Sequence, residues 1–93
     1  MFSRRGKLFV YIVTFGDGNQ LAGLTTDMRK QLNEIKKNNS NKNPKLDYLE
    51  EVKGKTEGAK RLGEIENLIQ TSPHQVNAMT SKFHAYMREF GFE

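Results

Sequence analysis

The sequence has no cysteine. Disulfide bonds, thiolate zinc sites and thiol nucleophiles are therefore excluded, and a reducing compartment such as the cytoplasm is compatible with the composition. Long apolar segments are missing as well, because the longest uninterrupted run, Leu8–Val13, is far shorter than the ~20 residues of a membrane-spanning helix. Arg4, Arg5 and Lys7 precede too short an apolar stretch for a signal peptide. We expect a cytoplasmic protein with no membrane partner.

Charge is unevenly distributed along the 93 residues, a length that predicts a single domain. The whole chain carries a net charge of +4. The part through Lys45 has nine bases and three acids, a net +6, whereas the remainder has six bases and eight acids, a net −2. Such a basic region favours binding to a polyanion, because each neutralised phosphate releases condensed counterions. A lysine-rich surface that serves only solubility is the alternative.

Hydrophobic patterns predict three strands. A β-branched and aromatic run at 8–15 ends in the turn Gly16-Asp17-Gly18-Asn19, and a shorter strand returns at 20–24. A third strand at 45–52 ends in a turn at Gly54, and Glu50 and Glu51 are expected as charges on its edge. The polar, turn-forming segment 38–44 predicts a mobile loop before this strand.

Helical spacing predicts three helices. They are expected at 27–37, 57–70 and 73–90, with Asp27, Thr56 and Ser72 as N-caps, Pro73 in the first turn of the last helix and Gly91 at its end. The middle helix has an apolar stripe at Ala59, Leu62, Ile65 and Ile69. The order β-β-α-β-α-α predicts an α+β domain, a small antiparallel or mixed three-stranded sheet flanked by three helices. Residues 1–7 would form a basic N-terminal arm, and 72–93 an additional C-terminal helix.

Five short segments between residues 9 and 62 follow one another in a distinctive order: Phe9–Ile12, Gly16–Gly18, Leu21–Asp27, Leu46–Val52 and Thr56–Arg61. In this order they resemble the first motif, hairpin turn, second motif, third strand and next helix start of the GIY-YIG nuclease family, in particular its small stand-alone bacterial members. The ten-residue step from Tyr11 to Leu21 matches the usual spacing of the two motif tyrosines. The resemblance covers more than half of the chain and implies a GIY-YIG-like fold.

The same resemblance implies a degenerate active site. Members of the family cleave phosphodiesters with two tyrosines, an arginine and a metal-binding glutamate, and only the first tyrosine is matched, by Tyr11. The other three positions carry Leu21, Gln31 and Leu62, and a frequent histidine is replaced by Ile35. Leucine offers neither a proton nor a metal ligand, and glutamine carries no charge for the transition state. Tyr11 is thus expected to be an inactive remnant.

A weak metal-dependent endonuclease is the alternative. Glu66 lies one helical turn beyond Leu62, so a relocated Mg²⁺ or Mn²⁺ site is geometrically conceivable. Otherwise no cofactor is expected. Tyr11 has a plainer interpretation as a sheet-core aromatic, and Gly23 as a position of close backbone approach. His74 and His84 do not share a metal-ligand spacing and are expected at the surface.

Six bases on the first helix and the loop after it are expected to bind nucleic acid: Arg29, Lys30, Lys36, Lys37, Lys42 and Lys45. In the GIY-YIG family this helix borders the nucleic-acid cleft. Contacts would be mainly to phosphates and would carry little sequence preference. A protein-interaction or inhibitor module is the alternative, with a homodimer or a partner bound through Phe83, Met87 and Phe90 of the last helix.

Overall fold

The computed structural model describes residues 7–89 and contains six elements in the predicted order. The strands are β1 (Leu8–Thr14), β2 (Gln20–Thr25) and β3 (Lys45–Val52). The helices are α1 (Met28–Asn38), α2 (Lys55–Thr71) and α3 (Pro73–Glu89). The α+β prediction is confirmed. The arm except Lys7, together with Phe90 and Gly91, lies outside the described residues.

The sheet has the order β2-β1-β3, and both pairs of strands are antiparallel. The sequence predicted either an antiparallel or a mixed sheet, and the structure has an antiparallel one. Tyr11 pairs with Gly23 on one side and with Leu49 on the other. The register against β3 shifts where Ile12 opposes Tyr48 and the next residue of β1 opposes Leu46, so Asp47 is the extra residue of a β-bulge.

Helices cover both faces of the sheet, so the central strand β1 is buried on both sides. Val10 and Ile12 point toward α2 and α3, where they pack with Ile65 and Val76. The alternate residues Tyr11 and Val13 point toward α1, where they pack with Ile35. None of the described helices is long and apolar enough to cross a membrane.

Asp27 caps α1 as predicted, because its side chain accepts a hydrogen bond from the backbone N of Lys30 at 3.1 Å. The predicted cap of α2 is wrong. Its N-cap is Gly54, and the backbone N of Gly58 already donates to the carbonyl of Gly54 at 2.8 Å. Thr56 therefore lies inside the first turn, since the helix begins two residues earlier than its hydroxyl suggested.

The sheet-facing stripe of α2 also differs from the predicted one. Ala59 is exposed, and the buried residue is Gly58. A Cβ at position 58 would lie 2.9 Å from Leu8 Cδ2 and 3.2 Å from Leu24 Cδ2, so the helix approaches the sheet more closely than an alanine would permit. A glycine inside a helix carries no hydrophobic signal, which is why the pattern pointed to its neighbour.

Two polar side chains that the sequence placed at the surface, Glu50 and His84, are half-buried and paired. Arg61 Nε donates to both carboxylate oxygens of Glu50, at 3.0 and 3.1 Å, and the Tyr48 hydroxyl donates to the same carboxylate at 2.6 Å. His84 Nε2 lies 2.9 Å from Asp47 Oδ1, which joins α3 to the bulge of β3. Glu50 and His84 are therefore parts of the packing between the sheet and the helices.

Candidate nucleic-acid interface

Tyr11, the residue that matches the first motif tyrosine, is buried on the α1 face of the sheet with 4 % of its surface exposed. Its ring lies directly over Gly23, the residue opposite it on β2. A Cβ at position 23 would overlap the phenol, at 2.6 Å from Tyr11 Cζ. The glycine is thus required by the ring above it.

The hydroxyl of Tyr11 accepts a hydrogen bond from Gln31 Nε2 at 3.3 Å. Burial raises the pKa of Tyr11, and this hydrogen bond opposes the rise only in part. The phenol is therefore neutral at physiological pH and is bonded to a neutral amide. Such a pair can hold α1 against the sheet, but it offers neither a phenolate nor a cation to a reacting phosphate.

The remaining positions of the expected active site lie on β2 and α2. Leu21 is 40 % exposed on β2, and Leu62 is half-buried on α2. Glu66 is exposed and lines a shallow groove with Gln20, Leu21, Ala22, Ile69 and Gln70, and Tyr11 does not line it. Within residues 7–89 no three His, Asp or Glu side chains are grouped so that they could share a metal ion. Among the described residues that line this groove, Glu66 is the one carboxylate, whereas hard cations in proteins take several oxygen ligands.

The six predicted bases are all exposed, and we call them the α1 surface: Arg29, Lys30, Lys36, Lys37, Lys42 and Lys45. Met28, Leu32 and Ile35 pack against the sheet, so the helical spacing turns the basic positions toward solvent. Arg29 and Lys36 are seven residues apart, as are Lys30 and Lys37. Since seven residues make about two turns, each pair forms a row of roughly 10 Å along the helix.

Helix α1 also carries acidic groups near these rows. A shallow concavity of about 320 Å³ along its outer side is lined by Asp27, Arg29, Lys30, Asn33, Glu34 and Lys37. The carboxylate of Asp27 is occupied as the N-cap. Both carboxylates keep their negative charge, so Asp27 and Glu34 together lower the local charge of the basic rows by two.

The loop that carries Lys42 is attached to two neighbouring elements. Asn39 Nδ2 donates to the carbonyl of Ile35 at 2.9 Å, and the backbone N of Lys42 donates to the carbonyl of Asn39 at 2.9 Å. The carbonyl of Lys42 accepts from the backbone N of Gly16, in the turn between β1 and β2. The loop that the sequence predicted as mobile is thus tied to α1 and to the hairpin.

Helix stability explains only half of the bases on α1. Lys36 and Lys37 lie in its last turn, where positive charge complements the helix dipole. Arg29 and Lys30 lie in its first turn, which contains no acidic residue, and there the dipole disfavours positive charge by ~0.3–1 kcal/mol per residue. The helix dipole therefore does not account for these two bases.

Comparisons of this chain with protein-family models, curated protein sequences and solved structures each found no match. The GIY-YIG resemblance therefore stays a prediction that rests on the motif segments, and so do the roles it assigns to single residues. Sequence reasoning missed the bond between Gln31 and Tyr11, and the pairing of Arg61 with Glu50. For Arg61 a signal was present, because it lies four residues before Ile65, a member of the predicted apolar stripe of α2.

Proposed function

We propose that this protein binds nucleic acid through phosphate groups on the α1 surface and does not cleave it. The observation that carries this proposal is the pair of cation rows, Arg29 with Lys36 and Lys30 with Lys37, on the solvent side of a helix whose other side is anchored to the sheet. The unfavourable position of Arg29 and Lys30 in the first turn supports a role outside helix stability.

The loss of cleavage is supported by the surroundings of Tyr11. Its hydroxyl is bonded to Gln31, and burial raises its pKa, so a phenolate general base at neutral pH is disfavoured. The positions expected to hold a second phenol and a metal-binding carboxylate carry Leu21 and Leu62. We propose that the protein acts in the cytoplasm, since the cysteine-free composition suits a reducing compartment.

Phosphate contacts predict a specific salt dependence. For duplex DNA, the logarithm of the binding constant falls with the logarithm of salt concentration with a slope of about −0.9 per phosphate neutralised. If four to six bases of the α1 surface engage, the slope is roughly −4 to −5. Sequence preference should be weak, because contacts to the backbone carry no direct base information.

The test is a fluorescence-anisotropy titration of duplex, single-stranded and branched oligonucleotides at two salt concentrations, with Mg²⁺ present so that cleavage is seen in the same samples. Lys36→Glu combined with Lys37→Glu should weaken binding to all sequences alike by about a hundredfold, because two attractive phosphate contacts become repulsive. The matched control is Lys53→Glu with Lys60→Glu, two exposed lysines that lie outside the α1 surface. It makes the same change in net charge.

Equal losses in the two double variants would show that net charge, and not the α1 surface, governs binding. Unchanged affinity in the Lys36 and Lys37 variant would remove this surface from the proposal. Product formation with Mg²⁺ would contradict the loss of cleavage. In that case Glu66→Gln would test whether the relocated metal site is responsible.

A further inference from the structure

Helix α3 and strand β3 flank an apolar groove of about 460 Å³ at the β3 edge of the sheet. It is lined by Tyr48, Leu49, Met79, Lys82, Phe83, Tyr86 and Met87. The rings of Phe83 on α3 and Tyr48 on β3 lie 6.1 Å apart, and this contact joins the helix to the strand. Tyr86, at the rim of the groove, has 58 % of its surface exposed. The groove thus presents aromatic and thioether surface beside a protruding tyrosine.

The charges on this side of α3 are arranged in a self-complementary way. Lys82, Tyr86 and Glu89 are all exposed, and their spacings of four and three residues place them on one stripe of the helix. Lys82 and Glu89 are separated by seven residues, which is about two helical turns. When two such stripes run antiparallel about a two-fold axis, Lys82 of each copy lies opposite Glu89 of the other.

The residues between Lys82 and Glu89 are also compatible with this two-fold axis. Its centre falls between Ala85 and Tyr86, so the large tyrosine of one copy lies opposite the small alanine of the other. An isologous interface requires one patch that is complementary to itself, with each contact made twice. The stripe of α3 meets this requirement in charge and in side-chain size.

We propose that the exposed stripe of α3 beside this groove is the interface of a homodimer, in which the α3 helices of two copies pack antiparallel with Tyr86 as the central anchor. Two equivalent ion pairs, between Lys82 and Glu89 of opposite copies, would set the register. This inference is independent of the proposed nucleic-acid binding, because its residues lie on α3, whereas the α1 surface lies on α1 and on the segment through Lys45.

The test begins with sedimentation velocity of the full chain over a concentration series that reaches about 300 μM, well above the Kd of a standard small interface. The expected result is a concentration-dependent shift from the monomer mass of 10.7 kDa to twice that value. Tyr86→Ser should raise the dimer Kd about a hundredfold, since buried aromatic anchors dominate interface energetics. Circular dichroism of the Tyr86→Ser variant checks that it remains folded.

The register is tested by charge reversal. Lys82→Glu and Glu89→Lys should each weaken self-association about tenfold, because each puts two like-charged pairs across the axis. Mixing these two variants should restore association to the wild-type level, since both pairs in the heterodimer are again of opposite sign. The matched control is Arg88→Glu, an exposed base on another side of the same helix, which should leave the dimer Kd within about twofold.

Three results would overturn the proposal. The first is a wild-type protein that stays monomeric over the whole concentration series. The second is a mixture of the two charge-reversed variants that associates no better than either variant alone. The third is an equal loss of association in Arg88→Glu, which would make net charge the cause. Nucleic-acid affinity is measured separately on the monomeric Tyr86→Ser variant, so the failure of one proposal is distinguishable from the failure of the other.

Discussion

The two faces of the sheet differ in what fills them, although alternate residues of β1 supply both. The face covered by α2 and α3 has an aliphatic core of Val10, Ile12, Val52, Ile65 and Val76. The face covered by α1 has a smaller buried cluster, and its central side chain is the phenol of Tyr11 with a hydrogen bond to Gln31. One face is therefore wholly apolar at its centre, and the other contains a polar contact.

Because of this difference, the larger hydrophobic core and the proposed nucleic-acid interface lie on opposite faces of the sheet. The larger core lies on the face away from the α1 surface, so hydrophobic burial there contributes more to folding than burial on the α1 face. Helix α1 is held by fewer buried side chains, and its bases are exposed. We infer that the bases can be replaced with little effect on folding, because the fold is anchored on the opposite side of the sheet.

The sharpest test of the comparison is one substitution made on each face. Ile65 on α2 is fully buried, and Ile35 on α1 is 6 % exposed. Truncation of a buried isoleucine to alanine costs 2–5 kcal/mol, and the cost is larger where the surroundings cannot relax. We expect Ile65→Ala to lower the free energy of unfolding by about 4 kcal/mol and Ile35→Ala by about 2 kcal/mol, measured by urea denaturation.

The same two variants also separate the faces in function. At low temperature, where both remain folded, Ile35→Ala should weaken nucleic-acid binding because α1 loses its main anchor. Ile65→Ala should leave the affinity of the folded fraction unchanged. Equal losses of stability in the two variants would show that the two cores contribute alike and would refute the comparison.

A smaller effect is expected at the contact between Tyr11 and Gly23. Gly23→Ala places a Cβ inside the phenol ring, so the ring or strand β2 must shift, at a cost of about 2 kcal/mol. Tyr11→Leu should recover most of this loss, because leucine has no ring over position 23. The measurement is a double-mutant cycle by urea denaturation, with a coupling energy of about 1–2 kcal/mol expected.

Gly63→Ala is the matched control for this cycle. Gly63 lies in α2, and nothing is found within 4 Å of a Cβ built there. Alanine should therefore stabilise the protein by up to about 1 kcal/mol, the helix propensity difference. Additive losses in Gly23→Ala and Tyr11→Leu would show that the ring can move away freely.

The order of the elements was predictable because each has a strong local signal. The run at 8–15, its Asp-Gly turn and the cap at Asp27 depend on residues close together in sequence, and the structure bears out all three. The position of α2 was less well predicted. Gly54 and Gly58 have no side chain to reveal that one begins the helix and the other packs on the sheet.

The candidate site was predictable only in part, because its contacts join residues distant in sequence. Exposure of the α1 surface follows from helical periodicity. The bond between Tyr11 and Gln31 spans twenty residues, and the contact of Gly16 with Lys42 joins a hairpin to a loop. Neither contact can be predicted from local sequence spacing, because both depend on how α1 and the loop after it pack against the rest of the fold.

The smallest effect we predict concerns the two tyrosines that mark the two faces. Burial raises the pKa of Tyr11 on the α1 face, and it raises the pKa of Tyr48 on the opposite face, where the hydrogen bond to Glu50 adds to the rise. In the folded protein both phenols hold their protons above pH 10, whereas the unfolded chain releases them near that value. The stability that this provides is fully present below pH 10 and is lost as pH rises through the folded-state pKa values.

Urea denaturation should therefore show no change from this source between pH 7 and 9 and a decline above pH 10. Phenolate absorbance should show that two tyrosines of the folded protein ionise above pH 10, whereas in urea they ionise near pH 10. Tyr11→Phe should remove one late titration, while Tyr48 keeps its own, because the two hydroxyls have separate partners in Gln31 and Glu50. If both late titrations vanish in Tyr11→Phe, the two faces are coupled through β1, and the separation of a stabilising face from a binding face is wrong.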